Sequence, residues 1–240
     1  MNLRILMVED DSSVAEMMGM FFKKEGWEQD IAVDGVEAVD MFKKNADKYD
    51  LITLDLNLPK KDGIQVAKEV RAISPTVPII MLTAKGSESD QVLGLGIGAD
   101  EYVTKPFSPI ALIARIKALH RRVMMEEKPT LEQEQKQDYE IETGHLKISK
   151  SRREVLFDDQ PVTDLTPKEF DLLYTMAQKP KQVFSRDQLL ELVWGYEYYG
   201  EERTVDAHIK KLRQKLEKVG AKVIQTVWGV GYKFDDSQAK

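Results

Sequence analysis

The sequence has 240 residues, enough for two domains of ordinary size, and its 42% hydrophobic and 32% charged residues are typical of a globular protein. The absence of cysteine excludes disulfides, thiolate metal sites and cysteine nucleophiles, and a formal net charge of −6 argues against nucleic-acid binding through overall charge. No apolar stretch approaches the ~20 residues of a membrane span and the first residues do not resemble a signal peptide, so we expect a cytoplasmic protein without membrane association.

The first 122 residues alternate strand-like and helix-like segments. Ser12 or Ser13 is the expected cap of the first helix. Five successive strand–helix units predict an α/β domain, 1–122, with a doubly wound parallel sheet covered on both faces. The predicted strands lie at 3–8, 29–33, 51–54, 78–82 and 101–103, and the predicted helices at 12–24, 35–44, 63–72, 87–96 and 108–122.

The pattern changes after residue 122. Residues 123–138 contain a proline and no sustained apolar periodicity, which predicts a linker. In the remaining segment, 139–240, Thr166 and Glu169 have the spacing of a capping box at the start of a helix. Short strands, three helices and a hairpin in this order predict an α+β winged helix-turn-helix domain. Its predicted strands lie at 146–148, 154–157, 160–162, 222–226 and 231–234, and its helices at 167–177, 185–194 and 203–218.

Three carboxylates follow apolar strands of the first domain: Glu9 and Asp10 after the first strand, and Asp55 after the third. Because ligands of open α/β sheets bind beyond the carboxyl ends of the strands, we expect these side chains to converge. Clustered carboxylates recruit a cation, and oxygen ligands suit Mg²⁺. Asp55 is the candidate nucleophile for an acyl phosphate, and Thr83 and Lys105 follow strands that end at the same edge.

The motifs ILMVEDD, LITLDLNLPKKDG, PIIMLTAK and GADEYVTKPF have the order and spacing of receiver domains, so residues 1–122 resemble those of two-component response regulators. The resemblance implies the flavodoxin-like strand order 2-1-3-4-5 and phosphorylation of Asp55 by a sensor histidine kinase. The implied Mg²⁺ ligands are Glu9, Asp10, Asp55 and Asn57. The implied phosphoryl contacts are Thr83 and Lys105, the implied switch aromatic is Tyr102, and the implied cis-proline is Pro106.

The predicted helix at 203–218 carries six basic residues against two acidic ones. Its apolar stripe is formed by Val205, Ile209, Leu212 and Leu216. On the other side lie Thr204, His208, Lys211 and Lys215. A helix that packs on one side and presents basic groups on the other can enter the major groove of DNA, but a solvated charged helix would show the same pattern.

The flanking sequences favour DNA binding. LTPKEFDLL, SRDQLLELVWG, RTVDAHIKKLRQKL and TVWGVGYKF resemble the OmpR/PhoB-type effector domain over about 139–236. The resemblance implies double-stranded DNA with direct-repeat-type promoter sites as a partner, and a loop at 195–202 that can touch RNA polymerase in relatives. Trp228 departs from the pattern, because many relatives have an arginine there that reaches the minor groove. The implied DNA contacts are Arg203, Thr204, His208, Lys210, Lys211, Arg213, Thr226 and Tyr232.

In the family that the first domain resembles, phosphorylation favours dimers through the fourth helix, the fifth strand and the fifth helix of the receiver. Gln91 and Ala111 depart from the family, since relatives often pair an arginine with a glutamate at these positions. We therefore expect a homodimer that relies more on apolar contacts, from Ile97, Ile110 or Leu112, and depends less strictly on phosphate. The charged members of the implied dimer surface are Asp100, Glu101, Arg115 and Arg122.

Taken together, these patterns predict a DNA-binding transcriptional regulator switched by phosphorylation, and no enzyme activity beyond the Mg²⁺-dependent phosphorylation and dephosphorylation of its own aspartate. A hydrolase or phosphatase with Asp55 as nucleophile is an alternative, but Asn57 stands where a second acid would be needed. A DNA-binding protein whose receiver domain only dimerises is a third hypothesis. The acidic cluster with Thr83 and Lys105 argues against it.

Overall fold

The computed structural model describes residues 2–84, 99–124, 139–195 and 203–237. The chain divides into two compact units, Met1–Arg121 and Arg122–Lys240. The helix predicted at 87–96 and residues 125–138 of the predicted linker lie outside the described residues. Within the described part of the chain, no helix is long and apolar enough to span a membrane.

The first unit is built on a five-stranded parallel sheet, and the predicted strand order 2-1-3-4-5 is confirmed. Ile5 and Met7 of the first strand pack in one core with residues of the helices at Ser12–Lys24 and Pro109–Met124. Leu6 and Val8, which point to the opposite face, are equally buried. The strands are β1 (Arg4–Val8), β2 (Glu28–Ala32), β3 (Leu51–Asp55), β4 (Ile79–Ala84) and β5 (Glu101–Lys105). The helices are α1 (Ser12–Lys24), α2 (Gly35–Asn45), α3 (Gly63–Ile73) and α4 (Pro109–Met124), with a 3₁₀ turn at Ala46–Lys48.

Aspartates are the N-cap residues of α1, α2 and α3. Asp11 caps α1, with its Oδ1 accepting from the amides of Ser13 at 2.8 Å and Val14 at 3.3 Å. The prediction that Ser12 or Ser13 caps this helix is wrong, since both lie inside it. An aspartate satisfies the free amides of the first turn and also adds a negative charge at the positive end of the helix dipole.

In its described residues, the second unit contains three helices and two small antiparallel sheets. The capping box of Thr166 and Glu169 is confirmed at the start of α5, and Ser185 forms another with Gln188 at the start of α6. The helices are α5 (Pro167–Ala177), α6 (Arg186–Trp194) and α7 (Arg203–Glu217). One sheet has β6 (Ile141–Glu142), β7 (Leu146–Ser149), β8 (Glu154–Phe157) and β9 (Gln160–Pro161), and the other has the order β10 (Phe184–Ser185), β12 (Gly231–Phe234), β11 (Ile224–Val227).

The core of the second unit contains the apolar stripe of α7. Its four members, predicted from their spacing, are all buried: Val205, Ile209, Leu212 and Leu216. They pack with the buried leucines of α5 and α6, so α7 is fixed against both preceding helices. The strands β11 and β12 pair as a hairpin directly after α7, in the register Thr226–Tyr232. We refer to this hairpin as the wing.

Candidate functional site

An acidic pocket lies where β1 and β3 end. Glu9 and Asp10 directly follow β1, and Asp55 is the last residue of the neighbouring strand β3. One carboxylate oxygen from each of the three lies within 4.8 Å of the others. Glu9 and Asp55 are buried and Asp10 is exposed, so the cluster is open to solvent on one side. The predicted convergence of these three side chains is confirmed.

Lys105, at the end of β5, reaches into this pocket. Its Nζ donates to both oxygens of Glu9 at 2.7 Å and to Oδ2 of Asp55. Burial raises the pKa of Glu9, and the hydrogen bond from Lys105 offsets only part of that rise. Burial lowers the pKa of Lys105, but its bonds to Asp55 and Glu9 outweigh this effect and keep the amine charged. The peptide bond between Lys105 and Pro106 is cis, as predicted.

The other residues assigned to this pocket lie just after β3, on β4 and on β5. Asn57 is exposed, and its backbone N–H donates to Oδ1 of Asp55 at 3.0 Å. Thr83 is a buried residue of β4, the strand that pairs with β3. Tyr102 is a buried residue of β5. The three carboxylates offer only oxygen ligands, and this donor set fits a hard cation such as Mg²⁺.

Sequence reasoning missed the role of Gly63 in this site. A Cβ atom at Gly63 would lie 2.1 Å from the carbonyl oxygen of Asp55, and its amide donates to the carbonyl of Leu56 at 2.9 Å. The first turn of α3 therefore packs directly on the backbone of Asp55. The Asp-Gly pair after a lysine-rich loop was a visible signal of such a close approach.

Two charged residues predicted on a dimer surface are buried inside the first unit. Asp100 is fully buried and accepts from Nη2 of Arg71 at 2.8 Å and from the amide of Ile79 at 2.9 Å. Glu101 is buried beside Arg115, with 4.0 Å between Oε2 and Nη1. This burial contradicts the assignment of Asp100 and Glu101 to a dimer surface. Asp100 directly precedes β5 and Glu101 is its first residue, where the chain enters the sheet.

Of the apolar candidates for the dimer surface, one is buried and another is exposed. Leu112 is fully buried in the core that α4 shares with the sheet, so it is not available to a partner. Ile110, two residues earlier, is 71% exposed, and Ala111 is exposed as well. Gln91, Ile97 and the side chain of Arg122 lie outside the described residues.

The face of α7 that the sequence assigns to DNA is partly buried. Thr204 and His208 are buried, and the His208 ring lies 5.2 Å from the ring of Trp194 in α6. The prediction that these two residues point outward is wrong. Because α7 contacts α5 and α6 as well as the core, its buried arc is wider than a four-residue apolar stripe indicates. The exposed residues of α7 are instead Arg203, Lys210, Gln214 and, at its last position, the acidic Glu217.

Other basic residues of α7 bind inside the unit. Lys215 donates to Oε2 of the buried Glu169 at 2.5 Å, which joins α7 to the capping box of α5. Arg213 is half-buried and donates to Oγ1 of Thr226 at 2.8 Å. Lys211 is also half-buried. The six basic residues of this segment are therefore not one DNA-facing patch.

Two aromatic residues of the wing, Tyr232 and Trp228, differ in their exposure to solvent. Tyr232 is buried, so its predicted contact with backbone phosphates is wrong for the structure as it stands. Its hydroxyl donates to Oδ1 of Asp206 at 2.6 Å. Trp228, at the turn of the wing, is 91% exposed. Residues 196–202 of the loop assigned to RNA polymerase lie outside the described residues.

Comparison with known proteins agrees with both halves of this description. The family described as response regulator receiver domain matches residues 5–117, and the family described as transcriptional regulatory protein, C terminal, matches residues 159–234. The chain is 54% identical over 234 residues to the "Uncharacterized transcriptional regulatory protein YclJ" of Bacillus subtilis (strain 168), covering 98% of this chain and 100% of that protein.

Further relatives cover almost the whole chain. The transcriptional regulatory protein SrrA of Staphylococcus aureus (strain NCTC 8325 / PS 47) is 47% identical over 239 residues, covering 98% of this chain and 96% of that protein. The solved structure of a mutant of RitR is similar with a TM-score of 0.69 at 30% identity, covering 97% of this chain and 99% of that one. The chain therefore belongs to the two-component response regulators of the OmpR/PhoB type, in which a receiver domain precedes a DNA-binding transcriptional regulatory domain.

Proposed function

We propose that this response regulator binds promoter DNA under the control of phosphorylation at Asp55, with a sensor histidine kinase as phosphoryl donor and a homodimer as the DNA-binding form. The observation that carries the proposal is the convergence of Glu9, Asp10 and Asp55 with the ammonium group of Lys105. Such a set places a nucleophilic carboxylate beside the charges that phosphoryl transfer requires.

The proposed reaction transfers a phosphoryl group from a phosphohistidine. A carboxylate oxygen of Asp55 forms a bond to phosphorus, the phosphorus–nitrogen bond of the donor breaks, and its electron pair returns to the imidazole, which takes a proton from water. Lys105, which already contacts Asp55, balances the charge of the added group. Attack by water then releases phosphate and restores the carboxylate of Asp55.

The residues that we propose to hold Mg²⁺ are Glu9, Asp10 and Asp55, with Asn57 contributing its carbonyl oxygen. When bound, Mg²⁺ supplies positive charge that offsets the repulsion between the phosphoryl oxygens and the carboxylates. The exposed Asp10 lies on the open side of the cluster, and the buried Glu9 is already held by Lys105. The donor is proposed to approach Asp55 from the open side of the cluster, where Asp10 lies.

On the DNA side, we propose that α7 lies in the major groove with the side that carries Arg203, Lys210 and Gln214. These residues are exposed, and arginine and lysine contact phosphates or guanine edges. The wing, with the exposed Trp228 at its turn, is proposed to contact the flanking backbone. Thr204 and His208 no longer belong to the proposed DNA contacts, because both are buried.

The proposal is tested by replacing the nucleophile. Wild-type protein incubated with acetyl phosphate and Mg²⁺ is expected to take up phosphate on a single residue, while Asp55→Asn takes up none. Asp47→Asn, which alters an exposed carboxylate of the same unit, is the matched control and is expected to behave as wild type. Equal uptake by the Asp55 and Asp47 variants would contradict the assignment of Asp55.

The same preparations distinguish the remaining hypotheses. We expect the phosphorylated wild-type protein to bind a duplex, selected with this protein from a randomised pool, more tightly than the unphosphorylated protein. Equal affinity in the two states would favour a receiver domain that only dimerises. Multiple turnover on unrelated phosphate esters, abolished by Asp55→Asn, would instead favour the hydrolase.

A further inference from the structure

The helix α7 and the wing are joined through the ring of Tyr232. This buried residue of β12 contacts two guanidinium groups. Its ring centroid lies 5.1 Å from the guanidinium carbon of Arg186 and 5.5 Å from that of Arg213. Its hydroxyl donates to Asp206, which also pairs with Nε of Arg186 at 2.7 Å. Arg186 is the first residue of α6, whereas Asp206 and Arg213 belong to α7. One aromatic ring thus connects both helices to the wing.

Arg213 also contacts the other strand of the wing, β11. Its Nε and Nη2 donate to the carbonyl of Ile224 at 3.2 and 3.0 Å, and Nη2 also donates to Oγ1 of Thr226 at 2.8 Å. Ile224 and Thr226 lie on β11, and the guanidinium group lies over the ring of Tyr232 on β12. A planar, forked donor is what allows a single side chain to serve both strands.

The same contacts show how Arg213 differs from Lys210. Arg213 is half-buried with its donors engaged by β11, while Lys210 is exposed on the side of α7 proposed to meet DNA. A wing that is held in place before binding loses less conformational freedom when DNA binds. A charge that pairs with a phosphate contributes instead through counterion release, which appears in the salt dependence.

We propose that Arg213 is a positioning residue for DNA recognition. It holds β11 and β12 against α7, so that helix and wing approach DNA as one unit, and it does not act by pairing with a phosphate. This inference rests on the proposed DNA-binding role of α7 and the wing. It replaces the direct DNA contact that the position of Arg213 in the sequence suggests.

The test compares Arg213→Ala with Lys210→Ala in the full chain, on a duplex selected with the wild-type protein from a randomised pool. We expect Arg213→Ala to weaken binding about tenfold with an unchanged slope of log affinity against log salt, whereas Lys210→Ala lowers the magnitude of that slope by about one. In the free protein, hydrogen exchange at the amides of β11 and β12 is expected to rise in Arg213→Ala and to stay unchanged in Lys210→Ala.

Two further variants keep the test decisive. Arg213→Lys retains the charge, but an ammonium group cannot serve Ile224 and Thr226 together while facing Tyr232, so we expect the same loss as with alanine. Full recovery of affinity by Arg213→Lys would overturn the proposal, as would a slope reduced in Arg213→Ala with normal exchange in the wing. Thr226→Val serves if Arg213→Ala disturbs the whole unit, because it removes only the bond to Nη2 of Arg213. We expect this variant to raise hydrogen exchange in the wing alone. Unchanged exchange in the wing would count against the proposal.

The outcome for Lys210 separates this inference from the function on which it rests. If Lys210→Ala leaves affinity and slope unchanged, the assigned DNA-facing side of α7 is wrong. The exchange data on the wing would still decide whether Arg213 holds β11 and β12 in place. If Lys210→Ala lowers the slope and Arg213→Ala lowers it equally, the DNA-facing side stands and the positioning role of Arg213 fails.

Discussion

At the level of single residues, the position of Asp55 depends on the absence of a side chain at Gly63. The first turn of α3 approaches the carbonyl of Asp55 so closely that any Cβ atom would overlap it. The overlap is with backbone, which cannot rotate away as the end of a flexible side chain can. A larger residue must therefore move either α3 or the end of β3, and with it the nucleophilic carboxylate.

We predict that Gly63→Ala slows phosphate uptake from acetyl phosphate by about tenfold or more, since a displacement that costs ~1.4 kcal/mol in the transition state has this effect. Gly19→Ala is the matched control, because a Cβ there meets only the side-chain oxygen of Gln29, at 2.5 Å, which can move. Uptake rates and circular dichroism of both variants check the prediction. Wild-type rates in Gly63→Ala would show that the close approach does not position Asp55.

At the level of elements, the sequence predicted those features of a helix that the short-range spacing of its own residues determines. The capping box at Thr166 and the apolar stripe of α7 were predicted correctly because short-range spacing determines both. The strands β6 and β10 were missed, since each has only two residues and is defined by its pairing with β7 or with β12. The burial of His208 was missed because it depends on Trp194, which another helix supplies.

The capping box of α5 yields a prediction about two helices at once. Glu169 accepts from the amide of Thr166 at 2.8 Å and from Lys215 of α7, so the cap and the ion pair share one carboxylate. We expect Thr166→Ala to lower the stability of the second unit by about 1 kcal/mol, the usual cost of a lost cap, and to raise amide exchange in both α5 and α7. Thr166→Ser, which retains the hydroxyl, is the control.

Hydrogen exchange measured by mass spectrometry checks this prediction, because it follows each helix separately. A rise confined to α5 would show that the contact between Glu169 and Lys215 does not depend on the cap. Equal effects of the serine and alanine variants would show that the methyl group of Thr166, and not its hydroxyl, stabilises the helix.

At the level of the whole molecule, the accessibility of the residues assigned to the dimer surface becomes important. Asp100 and Glu101 are buried within the first unit, and Ala111 carries no charge. Ile110, which directly precedes Ala111 on α4, is 71% exposed. The family resemblance assigned part of the dimer surface to α4, but the sequence did not indicate which residues of this helix are accessible. That depends on how α4 packs on the sheet.

We predict that beryllofluoride with Mg²⁺, which mimics the phosphorylated state, converts the protein to a dimer and that Ile110→Ser weakens this dimer about tenfold. Burying an isoleucine contributes roughly 1.5–3 kcal/mol, which is enough for such an effect. Met20→Ser alters a residue of α1 that is 68% exposed and serves as control. Sedimentation velocity gives the answer. A wild-type monomer in both states would refute dimerisation, and equal weakening by both variants would exclude a specific role for Ile110.

The three tryptophans of the chain differ sharply in their surroundings, since Trp27 and Trp194 are buried and Trp228 is 91% exposed. A water-soluble fluorescence quencher such as iodide therefore reaches the indole at the turn of the wing and hardly touches the other two. The natural sequence thus contains an optical probe at the point where the second unit is proposed to meet its ligand. Protection of that emission when a duplex is added would report contact at the wing without any chemical label.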